Sequence, residues 1–208
     1  MCGRYKQTGA LAELQALFAL KFDGIFQPRG TVTPGMTAPV ITQDRGLSFM
    51  IWGFVPHWSK ENTGSKIINA RAETLAEKPS FRDSFKQRRC LIPANGFVEW
   101  DINSKPKRAY DIEIANKAPF AFAGIYDLWQ DEQTAKTLES FAIVTLAARE
   151  PVARIHDRMP MILAESESMA AWLDKGQMLP SAAVLDMSMA TAPDKRRTAP
   201  DTRQMSLF

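Results

Sequence analysis

The sequence predicts an α+β fold. One β-rich domain spans residues 1–188 as a mostly antiparallel sheet or barrel with peripheral helices, and a flexible tail follows over 189–208. Three observations predict it. Short runs rich in β-branched and aromatic residues recur between residues 39 and 147, several with apolar side chains at alternate positions, as in Tyr110-Asp111-Ile112-Glu113-Ile114. Helical patterns punctuate these runs without the repeating strand–helix–strand order of a doubly wound sheet. From 190 to 204 the chain becomes rich in Pro, Thr, Asp, Lys and Arg and poor in apolar residues, so it has too little apolar surface to bury to order itself.

The elements follow in chain order. Leu11, Leu14, Leu17 and Phe18 form one apolar stripe, which predicts a helix over 10–20 capped by Thr8 or Gly9. Residues 30–35 are turn-rich, with Pro34-Gly35 as the breaker. Strands are expected over 39–42, 47–54, 90–93, 96–101, 109–114, 119–128 and 140–147, and 103–107 reads as a hairpin loop. Helices are expected over 80–89, on the apolar pair Phe81 and Phe85, over 149–156, and over 166–175, where Gly176 supplies the stop.

Composition narrows the function classes. The chain has 208 residues, 26 basic against 23 acidic, for a net charge of +3, which permits a local basic groove without demanding one. No uncharged run exceeds fourteen residues, and one of that length, 46–59, contains Gly, Pro and His, whereas a membrane span takes roughly 20 apolar residues. The start, Met1-Cys2-Gly3-Arg4-Tyr5-Lys6, lacks the apolar segment of a signal peptide. A soluble cytoplasmic protein, away from the membrane and monomeric, is therefore expected. Two cysteines are too few for a disulfide framework. Cys2, Cys90, His57 and His156 have none of the close spacings of a zinc site, so neither metal nor cofactor is expected.

Cys2 is the residue with the most distinctive chemistry. Removal of Met1, favoured when a small residue follows, would leave an α-amine and a thiol on adjacent carbons. An α-amine titrates near 7.7–8.0 and a lysine near 10.4, so at neutral pH the attacking neutral form is roughly a hundredfold more abundant at the terminus. With an aldehyde such a terminus forms a Schiff base that the thiol can close to a five-membered thiazolidine ring, which no internal residue can do.

The blocks around Cys2 extend this reading. Met1-Cys2-Gly3-Arg4-Tyr5, Trp52-Gly53-Phe54-Val55-Pro56-His57-Trp58, Asn69-Ala70-Arg71-Ala72-Glu73-Thr74, Arg89-Cys90-Leu91-Ile92-Pro93-Ala94-Asn95-Gly96-Phe97-Val98-Glu99-Trp100 and His156-Asp157-Arg158-Met159-Pro160 occur in that order. Together they resemble the SRAP family, SOS-response-associated peptidases that process abasic sites in DNA. The resemblance covers residues 1 to about 165. It implies that Cys2 links covalently to the ring-opened aldehyde of an abasic site in single-stranded DNA.

Aldehyde capture needs the amine held, a proton delivered to the departing water, and the sugar oxygen kept in place. Asn69 is an uncharged donor and acceptor suited to orienting the amine; its alternative is a helix N-cap. Glu99 lies between Val98 and Trp100 in an apolar strand, where a carboxyl suits general acid–base work; its alternative is an edge-strand Glu facing water. His156 can hydrogen-bond the sugar hydroxyl or shuttle a proton. Arg4, Arg71 and Arg158 lie within a few residues of these groups and are candidate phosphate clamps. Trp52 and Trp58 offer ring faces for unpaired bases, with at least one expected to face DNA. His57 and Cys90 stay outside the set, Cys90 as a core residue.

The chain also departs from the family pattern. It carries Gly30-Thr31-Val32-Thr33-Pro34 where members commonly have Tyr-Asn-Val-Ala-Pro, so Thr31 keeps a hydroxyl and loses the amide. The segment after about Asp186 lacks the usual Asn-rich closing strand, which is expected to be missing or rerouted. The chain closes on Gln204-Met205-Ser206-Leu207-Phe208, which looks like the bacterial pentapeptide that docks on the replicative sliding clamp through a Gln and a Leu-Phe pair. Two apolar anchors on a flexible polar tether suit such a pocket. Three readings compete: an abasic-site crosslinking protein, a thiol peptidase built on Cys2, and a clamp adaptor that binds single-stranded DNA without chemistry.

Overall fold

Strand β9, Phe120–Gln130, is buried on both faces along most of its length and organises the molecule. Its even-numbered residues Phe120, Phe122 and Tyr126 face one core, and Ala121, Ala123 and Ile125 face a second, as the period of two requires. In the computed structural model, which describes residues 2–8, 30–42, 46–62 and 67–190, thirteen strands form two sheets.

The larger sheet contains β3 (Thr37–Thr42), β4 (Gly46–Trp52), β6 (Arg89–Ala94), β9 and β10 (Thr137–Ala147). β10 hydrogen-bonds both to β9 and to β4, so the path β4–β3–β6–β9–β10 closes on itself. Closure removes the exposed edges of these five strands. Short strands β5 (Asn69–Arg71), β11 (Arg158–Pro160) and β12 (Ile162–Leu163) extend this ring along β10 and β9. Pairing is antiparallel except where β10 runs beside β4 and β5.

The smaller sheet runs in the order β13–β8–β7–β1–β2, from Leu185–Met189, Ala109–Ile114, Gly96–Trp100, Tyr5–Gln7 and Gly30–Val32 respectively. The first core lies against it and includes Tyr5, Trp52, Phe97, Phe122 and Phe141. The second lies under helices α1 (Arg82–Gln87) and α2 (Ser166–Lys175) and includes Phe54, Phe81, Met169 and Trp172. Each large apolar side chain taken fully out of water contributes roughly 1.5–3 kcal/mol. At Gly124 a β-carbon would sit 2.5 Å from Ile92 Cδ1 and 2.9 Å from Cys90 Sγ, so β9 and β6 require glycine there.

The α+β class is as expected, and α2 keeps its expected bounds, ended by Gly176 in the left-handed region at φ 64°. The helix expected over 149–156 is reduced to a 3-10 turn over Val152–Arg154. Tertiary pairing explains the correction: the amide of Ile102 donates to the Ile155 carbonyl at 3.0 Å, and that of Ala148 to the Asp157 carbonyl at 2.9 Å. The segment around Asp186 forms a strand, β13, paired with β8 from Leu185↔Ile114 to Met189↔Tyr110. The helix expected over 10–20 and the tail from 191 onward lie outside the described residues. No helix among the described residues is long and apolar enough to cross a membrane.

Candidate active site

The amino terminus is built into the small sheet. β1 lies between β2 and β7, with Tyr5 opposite Phe97 and Lys6 opposite Gly96, and the amide of Val98 donates to the Arg4 carbonyl at 2.9 Å. Continuing that register brings residue 3 beside Glu99. The Tyr5 ring packs 5.2 Å from Trp52 and 5.8 Å from Phe122, centroid to centroid, so the strand that delivers Cys2 is bolted to the first core. Cys2 itself is fully buried, and its thiol faces the Arg4 carbonyl at 3.7 Å. Burial, and secondarily the Glu99 carboxylate, push the thiol up to about 12, so it keeps its proton at neutral pH.

Asn69 reaches Cys2 from the other sheet. Strand β5 lies parallel to β10 with Asn69 opposite Ile143. The preceding carbonyl, of Ile68, accepts from the Ile143 amide at 3.1 Å and from the Trp52 indole at 2.9 Å. So held, the Asn69 side-chain amide donates to the Cys2 carbonyl at 2.9 Å. Its Oδ1 is buried without a hydrogen-bond partner among the described residues, an open acceptor for an incoming N–H or O–H. Asn69 begins a strand and is not a helix cap: the 3-10 turn that follows has Arg71 at its cap, with no side-chain bond.

Glu99 is 2% exposed on β7, an inner strand between β1 and β8, which removes the alternative of an edge residue facing water. Its Oε1 accepts from the Trp100 amide at 3.2 Å and lies 4.0 Å from His156 Nε2. His156 follows the 3-10 turn, its amide donating to the Val152 carbonyl at 3.0 Å. Its Nδ1 lies 3.0 Å from the Arg158 amide, and its Nε2 faces Glu99. The exposed Asp157 carboxylate also lies 2.8 Å from Nδ1. Asn69 thus contacts Cys2 and His156 lies beside Glu99, while the Glu99 carboxylate acts on the Cys2 thiol through its charge.

The candidate DNA contacts divide. Trp58 is 55% exposed. Trp52 is fully buried, stacked on Phe141 at 6.4 Å and against Tyr5, so no base can reach its ring; it holds the Ile68 carbonyl beside Asn69. This corrects the expectation for Trp52, whose side chain fits the space where two sheets meet. Arg4 lies over the Trp100 ring at 5.2 Å, a cation–π contact. Arg71 is exposed at the end of β5. Arg158 is committed within the protein: both terminal nitrogens bond Glu73, and one also donates to the Thr145 carbonyl at 2.6 Å. The sequence reading missed Glu73 and Trp100 as partners of these arginines, although both stand inside the quoted blocks. Thr31 is exposed on β2, opposite Lys6. Met1, Gln204, Leu207 and Phe208 lie outside the described residues.

The family model described as SOS response associated peptidase (SRAP) matches residues 1–200. The chain belongs to the SRAP family. Among its relatives, the abasic site processing protein YoaM of Bacillus subtilis (strain 168) is 39% identical over 182 residues, 84% of this chain and 79% of YoaM. The abasic site processing protein HMCES of Xenopus tropicalis is 31% identical over 186 residues, 74% of this chain. The SRAP chain spans 56% of that vertebrate relative's length. A solved structure of a protein from Bacteroides thetaiotaomicron superposes with a TM-score of 0.83 at 26% identity, over 92% of this chain and 93% of that one.

Proposed function

We propose that this SRAP protein captures abasic sites in single-stranded DNA by forming a thiazolidine between Cys2, once Met1 is gone, and the aldehyde of the opened sugar. The observation behind the proposal is the hydrogen bond from Asn69 to the Cys2 carbonyl, which holds Cys2 within electrostatic reach of the buried Glu99 carboxylate.

The chemistry runs in three steps. The neutral α-amine of Cys2 adds to the aldehyde carbon and gives a carbinolamine. The hydroxyl leaves as water after accepting a proton, and an imine remains. The Cys2 sulfur then bonds to the imine carbon while the thiol proton passes to the nitrogen, so protein plus aldehyde becomes thiazolidine plus one water. Asn69 orients the terminus. Glu99 relays the protons, being buried and within electrostatic reach of the thiol. His156 Nε2, 4.0 Å from Glu99 Oε1, serves the sugar hydroxyl. A thiol that keeps its proton suits the last step, which consumes that proton at the nitrogen. With Met1 attached, the Cys2 nitrogen is an amide and the reaction cannot start; loss of Met1 by the protein's own action is part of the proposal.

Arg71 and Arg4 supply positive charge for flanking phosphates, Trp58 supplies a face for an unpaired base, and Arg158 reaches a phosphate by exchanging Glu73 for it. The terminal segment with Gln204, Leu207 and Phe208 docks on a sliding clamp and brings the activity to replicating DNA. The test is intact-protein mass spectrometry after incubation with a single-stranded oligonucleotide bearing one abasic site. The expected species is an adduct one water lighter than its parts, on protein lacking Met1, and absent from Cys2→Ala. No adduct on protein whose Met1 is gone would end this reading and leave the adaptor.

A further inference from the structure

The loop that presents Trp58 is held more firmly than an exposed connection needs. The amide of Gly53 donates to the Phe141 carbonyl at 3.0 Å, that of Phe54 to the Ile67 carbonyl at 2.8 Å, and that of Val55 to the buried Ser140 hydroxyl at 2.9 Å. The residues on either side of Trp58 are then gripped from one strand. Asp127 Oδ2 accepts from both the backbone amide and Nδ1 of His57, each at 3.0 Å. Two residues further along β9, the Trp129 indole donates to the Ser59 carbonyl at 2.7 Å. Positions 127 and 129 share a face of the strand, and both are at least nine-tenths buried.

Asp127 is a costly anchor. A carboxylate 1% exposed must be paired and hydrogen-bonded to be tolerated. Its second oxygen accepts from the Leu128 amide at 2.9 Å and lies 3.0 Å from Arg88 Nε. The indole between the two anchored residues nevertheless stays 55% exposed, so the loop's polar investment stabilises a conformation whose largest apolar group is left in water. A ring fixed in advance binds a base without the ordering cost that a mobile side chain would incur.

We propose that Asp127 and Trp129 are positioning residues for base stacking, clamping the backbone on both sides of Trp58 so that the indole is pre-set for an unpaired base. The proposal rests on the reading of Trp58 as a stacking platform and adds how that platform is held.

The test uses the full chain lacking Met1 and a single-stranded oligonucleotide carrying a tetrahydrofuran abasic analogue, which binds without offering an aldehyde. Trp58→Ala should weaken binding about tenfold, the scale of one base–aromatic stack. Asp127→Asn and Trp129→Phe should each weaken it several-fold, and Trp58→Ala/Asp127→Asn should bind no worse than Trp58→Ala alone. With a true abasic site, the effect of Asp127→Asn and Trp129→Phe should fall on the half-saturating DNA concentration and not on the saturated crosslinking rate. Trp129→Phe keeps an aromatic side chain while losing the indole N–H bond to Ser59 and part of the ring, so, with folding checked by circular dichroism, it decides the matter if Asp127→Asn does not fold. Parental affinity in Trp129→Phe and in folded Asp127→Asn, alongside a weakened Trp58→Ala, overturns the positioning role and leaves stacking intact. Parental affinity in Trp58→Ala overturns the stacking reading and this inference with it. An additive double variant also overturns it, because the two residues would then act independently.

Discussion

Asn69 and Cys2 are joined by a hydrogen bond of 2.9 Å from the Asn69 side-chain amide to the Cys2 carbonyl, linking a strand of the larger sheet to the amino terminus carried by the smaller one. In the proposed mechanism that bond orients the residue whose amine attacks. Asn69→Ala should slow crosslinking to abasic single-stranded DNA by about tenfold or more, from the loss of a hydrogen bond and the burial of an unpaired carbonyl at roughly 1–3 kcal/mol. Asn69→Asp should be at least as slow, since a carboxylate only accepts and cannot bond the carbonyl. Single-turnover gel assays measure both, and an unchanged rate in Asn69→Ala would remove Asn69 from the mechanism.

Cys2→Ser keeps the α-amine and a hydroxyl but cannot close the sulfur ring. The expected product is an imine that borohydride traps and that dilution reverses, where the parent gives an adduct stable to both. An equally stable unreduced adduct from Cys2→Ser would show that the thiol is dispensable.

The thiol also predicts a pH dependence. Its value is raised from 9.0 to about 12 by burial and by Glu99, so at pH 8 the thiolate is about a thousandfold scarcer than for an ordinary thiol. Iodoacetamide should therefore modify native Cys2 very slowly at pH 8, with a rate rising about tenfold per pH unit. Glu99→Gln removes a neighbouring negative charge, lowers the thiol's value and should speed modification. Peptide mass spectrometry reads the extent; fast, pH-independent modification would contradict the neutral, buried thiol.

Arg89 makes a structural prediction. Its guanidinium donates to the carbonyls of Phe85 and Lys86 near the end of α1 and of Trp172, Leu173 and Asp174 near the end of α2. A cation there bonds carbonyls of the last turns, including the Trp172 carbonyl that also accepts from the Gly176 amide, and complements both helix dipoles. Arg89→Ala should cost about 2–3 kcal/mol in a denaturant titration, and Arg89→Lys should recover little, because one ammonium cannot span both helix ends. Full recovery by lysine would show that charge alone suffices.

Deletion of Leu207 and Phe208 should abolish binding to an immobilised sliding clamp while DNA crosslinking continues. Surface plasmon resonance signals unchanged by the deletion would exclude the clamp motif.

Much of the fold was legible where a strand or helix is long enough to show its own period. Tyr110-Asp111-Ile112-Glu113-Ile114 reads as β8, and 166–175 with its terminal glycine reads as α2, with the bounds observed. Strands β1, β2, β5 and β11 have three residues each, too few to display alternation, and they exist because distant segments pair with them. The candidate site divides in the same way. Cys2, Asn69, Glu99 and His156 were recognisable as residue types within their blocks, and the fold gathers them. Trp52 and Trp58 stand six positions apart in one block, and nothing local distinguishes the ring stacked on Phe141 from the ring left in solvent.

The sequence by itself determined the residue types on offer: a cysteine in second position, an amide, a carboxyl and an imidazole in ordered blocks, and strands marked by apolar residues at alternate positions. Only the tertiary structure decided how those groups behave. It places Cys2 where its thiol stays protonated, turns Glu99 inward, pairs Arg158 with Glu73, and holds Trp58 between anchors from β9. The physical reason is that burial, ion pairing and proton affinity are set by neighbours in space, and here those neighbours come from strands paired across most of the chain's length.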